Sequence, residues 1–236
     1  MNNMLDRLFN RKKKVPVLIS GLNSSLRELG SGIVVDGKIT QVGNRSCQVF
    51  GRYIDFSENG MKWLGVDCVK DIPEMARLLY FWLDLRLNST EIERLVPGIS
   101  FPESRKRMEE GEESFLNWYW QNLLDRRDRR FGRIIELFAR HSKTRRLMSF
   151  TRLRDFGLSR IIPPDDSRND LPFIRITEDW EYEVHAHFGI LDSTSDKRMC
   201  LGKGNADEAF ELLIAYLPGN LGIARYCQTE SSQPAA

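Results

Sequence analysis

Glu181, Glu183, His185 and His187 alternate with Tyr182, Val184 and Ala186 along the stretch Trp180–Phe188. Two imidazoles two residues apart on a strand point to the same side and can ligate one metal ion, with a flanking carboxylate completing the shell. The candidate metal ligands are therefore His185, His187 and Glu183. The competing reading is that an antiparallel strand with one solvated face needs polar residues of some kind. No further cluster of His, Cys or Asp stands at a ligand-like spacing in the sequence. The expectation is a chain without a cofactor, with a metal at His185 and His187 left open.

The second chemical feature is charge. Between Arg126 and Arg154 eleven basic residues meet two acidic ones, Asp128 and Glu136, for a net of +9, while the whole chain carries only +2. From Asp165 onward thirteen acidic and six basic residues give −7. Oppositely charged halves can face each other, or each can face a partner. Arg126, Arg127, Arg129, Arg130 and Arg133 are the candidate partner-binding residues. They run around most of a helical turn and lack the aromatic platforms or motif of a nucleic-acid reader. Pairing with the acidic half, or with an acidic protein, is preferred; nucleic acid, bound by phosphate neutralisation, is the third reading.

Other chemistry is weaker. Gly32-Ile33-Val34-Val35-Asp36-Gly37-Lys38 has the spacing of a phosphate-binding loop, but Ile39 replaces the required Ser or Thr, and the flanks read as a hairpin. Neither Cys47, Cys68, Cys200 nor Ser20, Ser31, Ser149 and Ser193 sits in a nucleophile signature. His141 lies at a basic helix end and reads as a cap or surface residue. The four cysteines are scattered without a close pair, which argues for free thiols and against a disulfide scaffold. No apolar run reaches the roughly 20 residues a membrane span needs. The N-terminal apolar core is short, and its basic run follows it, so no signal peptide is read and a cytoplasmic location is expected.

The elements that must position these residues are legible in outline. Gly32–Val42 reads as a hairpin with an Asp36-Gly37 turn. Cys47–Phe56 and Met61–Val66 continue as strands about the turn Glu58-Asn59-Gly60. Asp71-Ile72-Pro73-Glu74 caps a helix carrying Met75, Leu78, Leu79 and Trp82 to about Arg86. A short helix follows over Thr90–Leu95, a third from about Met108 to Leu124, and a fourth with Phe131, Ile134, Ile135, Leu137 and Phe138. The acidic run Glu109–Glu113 suits the start of the third. Trp118 and Trp120 cannot share a helix face, and Trp120 is the one expected outside the core. Pro163–Asp170 is the clearest loop. Phe173–Thr177 and Trp180–Phe188 are strands, Arg198–Leu201 a candidate partner strand, and Asn205-Ala206-Asp207-Glu208 caps a last helix that buries Ala209, Leu212, Leu213 and Tyr216.

Four of these stretches carry a likeness. Asp71–Arg77 leading to Phe81-Trp82-Leu83, Trp118–Leu124, Leu171-Pro172 with Trp180–Val184, and Leu201-Gly202 with Ala206–Gly222 together resemble a bacterial domain family of unknown function labelled natural product biosynthesis protein. The resemblance covers roughly residues 61–224. It implies structural motifs and no active site, and the β-rich start and arginine-rich middle depart from it.

The expected fold class is α+β: a helical middle packed with a small antiparallel sheet and a C-terminal helix, preceded by a β-rich region. Residues 1–14 read as a basic flexible segment, 15–66 as the β-rich region, 67–224 as the family-like domain and 225–236 as a flexible tail. Without a catalytic signature, the first functional reading is a non-catalytic bacterial interaction protein, of the immunity or antitoxin type, that neutralises a partner encoded by an adjacent gene. The alternative is an accessory or tailoring factor in a natural-product gene cluster.

Overall fold

The computed structural model describes residues 18–36, 39–50, 53–59, 61–67, 71–126, 128–162, 170–187 and 198–226. The fold is α+β, and no described helix is long and apolar enough to cross a membrane. The described chain groups into two compact units, one running to Glu109 and the other beginning at Glu110. The boundary expected from the sequence lay between residues 66 and 67. The helices up to Glu109 instead group with the first unit, where Trp82 packs against Phe56.

In the first unit a helix over residues 18–28 (α1) buries Leu22 and Leu26, one turn apart. The sheet is a four-stranded antiparallel meander of β1 (Ile39–Val42), β2 (Arg45–Phe50), β3 (Tyr53–Glu58) and β4 (Met61–Asp67). The expected pairing within Gly32–Val42 does not form: residues 31–36 are not a strand, and Ile39–Val42 pairs with Arg45–Gln48 instead. The cause is Asn23, whose amide donates to Val35 O and accepts from Val35 N, both at 2.8 Å, holding that backbone on α1. Gly37 and Lys38 lie outside the described residues.

Helix α2 (Ile72–Leu79) starts where Asp71 accepts from Glu74 N. It continues into a wider turn, Tyr80–Asp84, closed by Leu85 N–H to Tyr80 O at 3.0 Å. The short α3 (Ser89–Leu95) carries a full capping box from Asn88 and Glu91. The helix expected over Met108–Leu124 is two, α4 (Glu103–Glu109) and α5 (Glu112–Arg126). They are broken at Gly111, whose φ of 110° no helix allows.

In the second unit α6 (Gly132–Arg140) leads through a tight turn at Thr144–Arg146 into β5 (Met148–Arg152), β6 (Asp155–Ser159) and the short β7 (Ile161–Ile162). β8 (Phe173–Ile176), β9 (Tyr182–His187) and β10 (Arg198–Gly204) follow, then α7 (Ala206–Tyr216) and β11 (Arg225–Tyr226). The five-stranded antiparallel sheet has the order β10-β9-β8-β6-β5. Its core joins Phe156, Leu158, Ile174 and Val184 to Ile134, Ile135 and Phe138 of α6 and Ala209, Phe210 and Leu213 of α7.

Four expectations are corrected here. Trp120 is buried and donates from its ring to Leu147 O at 3.1 Å, so the exposed tryptophan is Trp180. Trp180 precedes the strand in a turn closed by Thr177 N–H to Glu181 O, at a φ of 61°. On α7 the buried aromatic is Phe210, and Tyr216 is exposed. Within the stretch expected to be a flexible tail, Arg225 and Tyr226 pair in parallel with Ile161 and Ile162.

Candidate functional site

Strand β9 is held on both sides in register. Phe173 faces His185 and Arg175 faces Glu183 on β8, while Cys200 faces His185 and Lys203 faces Glu183 on β10. Alternation puts Glu183 and His185 on one face, and directly opposed residues bring their Cβ atoms to about 4.5–5.5 Å, which adds Cys200. One ligand atom from each of Glu183, His185 and Cys200 lies within 4.8 Å of the others. An extra residue, Leu201, bulges β10 between Cys200 and Gly202. Such bulges turn a strand and re-aim its side chains.

The face is not the uniformly wet one that an edge hairpin would have. His185 is only 8% exposed, its ring stacked on Phe173 with centroids 5.3 Å apart. Its Nε2 lies 3.0 Å from a Glu183 oxygen, and its Nδ1 is buried with no hydrogen-bond partner among the described residues. Cys200 is an exposed free thiol. Of the predicted ligand set, the structure brings together His185 and Glu183; the side chain of His187 lies outside the described residues. Cys200 was missed, and its signal was present: Arg198–Leu201 reads as the partner strand, so its one thiol had to face some residue of β9.

The basic segment divides in two. Among the predicted partner-binding residues, Arg133 holds Asp207 at 2.5 Å and Glu136 at 3.4 Å, and Arg130 lies 3.9 Å from Asp128. The Arg133 bond raises the Arg133 guanidinium pKa and lowers that of the Asp207 carboxyl. Arg154 reaches Glu178 at 3.3 Å. Part of the charge asymmetry is thus satisfied within this unit. Arg126 and Arg129 are exposed without an acidic partner among the described residues, and Arg127 lies outside them.

The run Arg140-His141-Ser142-Lys143-Thr144-Arg145-Arg146 differs: it holds four cations and no carboxylate. Thr144 anchors it, its hydroxyl buried and donating to Phe138 O at 2.6 Å, while all four cationic side chains are exposed. Arg145 and Arg146 border an open surface cavity of about 300 Å³ with Asn117, Ser142 and Glu113. Arg145 donates to Asn117 Oδ1 at 3.3 Å. His141 ends α6, its ring edge-on to Phe210 at 5.6 Å, which fits the cap expected of it.

The first unit holds a charge cluster that sequence reading did not find. Arg45, Glu58 and Arg105 are all buried, Arg45 lying 3.3 Å from Glu58, which also meets Arg105. Arg105 reaches Glu109 at 2.8 Å, and Glu109 accepts from Ser89 N and Oγ. Both guanidinium groups lie over the Trp82 ring, at 4.4 and 5.2 Å. Burial lowers the Arg45 pKa, and Glu58 opposes that shift. Two cations and two anions in alternation cancel, so this cluster serves cohesion and leaves no charge for a ligand.

The chain matches no protein-family model, no curated protein and no solved structure.

Proposed function

We propose that the protein is a non-catalytic interaction protein of the bacterial cytoplasm, of the immunity or antidote type, which binds an acidic surface of its partner through residues 140–146. The observation that carries this reading is the run of four exposed cations with no carboxylate inside it and no ion-pair partner among the described residues. Unpaired, clustered positive charge accelerates encounter with an acidic partner and selects against basic ones. Arg126–Arg133 contributes less, because Arg130 and Arg133 are already drawn to Asp128 and Asp207.

Calorimetric titration of the whole chain with the product of the adjacent gene tests this. Replacing Arg140, Lys143, Arg145 and Arg146 together by Ala is expected to weaken binding at least tenfold, or about 1.4 kcal/mol. Unchanged affinity in that variant would sink the reading. Tight, salt-sensitive binding of a short DNA duplex in place of the protein would favour the nucleic-acid reading. The accessory-factor reading draws its support from the Glu183, His185 and Cys200 cluster, the one group of three such donors close enough to hold a metal among the described residues.

A further inference from the structure

We infer that Glu183, His185 and Cys200 form a binding site for a borderline divalent metal ion, Zn²⁺ fitting the donor set best. This stands apart from the acidic-partner reading and uses none of its residues.

A thiolate, an imidazole and a carboxylate are the three ligand types Zn²⁺ takes. An all-oxygen shell, as Ca²⁺ and Mg²⁺ require, cannot be assembled from them. Three protein ligands leave a fourth tetrahedral position for water or an exogenous group, the pattern of open zinc sites. One donor atom from each residue already falls within 4.8 Å of the other two.

Independent observations point to a ligand at this place. The His185 ring is nine-tenths buried, yet its Nδ1 has no hydrogen-bond partner among the described residues. A buried polar atom left unpaired costs about 1–3 kcal/mol, so an interior site seldom keeps one without a use for it. The cations opposite Glu183 bond other carboxylates, Lys203 reaching Glu181 at 2.9 Å and Arg175 reaching Asp155 at 2.7 and 2.9 Å, while the Lys203 charge still attracts Glu183. Glu183 faces His185 Nε2, and with the ring proton on that nitrogen Nδ1 keeps a lone pair with no partner among the described residues. A dication on Nδ1 uses that lone pair, with Glu183 and the Cys200 thiolate completing the set. The bulge at Leu201 and the Phe173 stack fix two of the ligands before metal arrives, which lowers the ordering cost of binding.

Titration of the purified whole chain with Co²⁺ as a spectroscopic substitute for Zn²⁺ tests the site. One equivalent is expected to bind with a thiolate-to-cobalt charge-transfer band, displaced by Zn²⁺. Cys200→Ser, isosteric and exposed, keeps the circular dichroism of the parent, loses the band and weakens binding about 100-fold or more. Glu183→Gln retains the band and weakens binding less. Absence of the band in the parent chain overturns the site, as does a Cys200→Ser variant that titrates like the parent, since the metal would then sit at another thiol.

Discussion

Single side chains owe their behaviour here to register more than to type. Cys47, read as a free thiol, sits at β2 between Arg45 and Val49 on the buried face, and burial pushes its thiol up to about 12 from 9.0. The sign of the pH effect follows. Between pH 9 and 12 the folded state keeps a proton that the unfolded chain has released, so stability falls as pH rises through that window. The slope is about 1.4 kcal/mol per pH unit for one such group. Urea midpoints measured from pH 8 to 11 are expected to drop less steeply for Cys47→Ala than for the parent; equal slopes would show that Cys47 does not titrate as its burial requires. That the Cys47 and Cys200 thiols are free was legible from their spacing; that Cys47 is buried and Cys200 exposed was not. Nor was the Arg45, Glu58 and Arg105 cluster. Nothing in a sequence says that two arginines sixty positions apart share one glutamate, and isolated arginines read as surface residues. His185 and Glu183 were found by alternation alone, whereas Cys200 required the pairing of β9 with β10.

Elements were legible where a local signal acts on its own. Asn205 accepts from Asp207 N and Glu208 N while Glu208 returns to Asn205 N at 2.9 Å, the capping box readable from residue types. The Asp71 cap of α2, which accepts from Glu74 N, was readable in the same way. Misreadings arose where a distant contact overrode the local pattern, as when Asn23 takes the backbone of Val35 out of a hairpin. Between β5 and β6 such a contact sets a requirement that the sequence does not announce. Gly157 stands opposite Phe150, and ring atoms of Phe150 occupy the space a Cβ would fill. Gly157 lies in a strand at negative φ, where glycine carries an entropic cost, so close packing of the ring is what retains it. Gly157→Ala is expected to destabilise by about 1–3 kcal/mol through overpacking, read from the urea midpoint. A further Phe150→Ala change should recover part of that loss. A destabilisation that Phe150→Ala only adds to would mean the ring is not the obstacle.

At the scale of the molecule, helical periodicity reports that a face is buried but not which sheet buries it, so α2–α4 were read with the C-terminal sheet. Their apolar residues instead meet the first meander: Trp82 packs edge-on to Phe56 at 5.8 Å and donates from its ring to Ser46 O at 3.2 Å. The second unit is left with a core of its own, centred on Phe138, which stacks on Phe156 and meets Phe210 at 5.3 Å. At about 120 residues it has the size of an ordinary independent domain. Its five-stranded sheet, the helices α5, α6 and α7, and ion pairs such as Arg133 with Asp207 and Arg175 with Asp155 all fall within Glu110–Cys227. A chain of residues 110–227 alone is therefore expected to unfold in one cooperative urea transition and to retain a near-ultraviolet circular dichroism signal from its tryptophans. It should also keep the cobalt charge-transfer band, since Glu183, His185 and Cys200 lie on adjacent strands of this one sheet. Gradual unfolding, with dye-binding apolar surface exposed in buffer, would mean that the core around Phe138 cannot stand without the first unit.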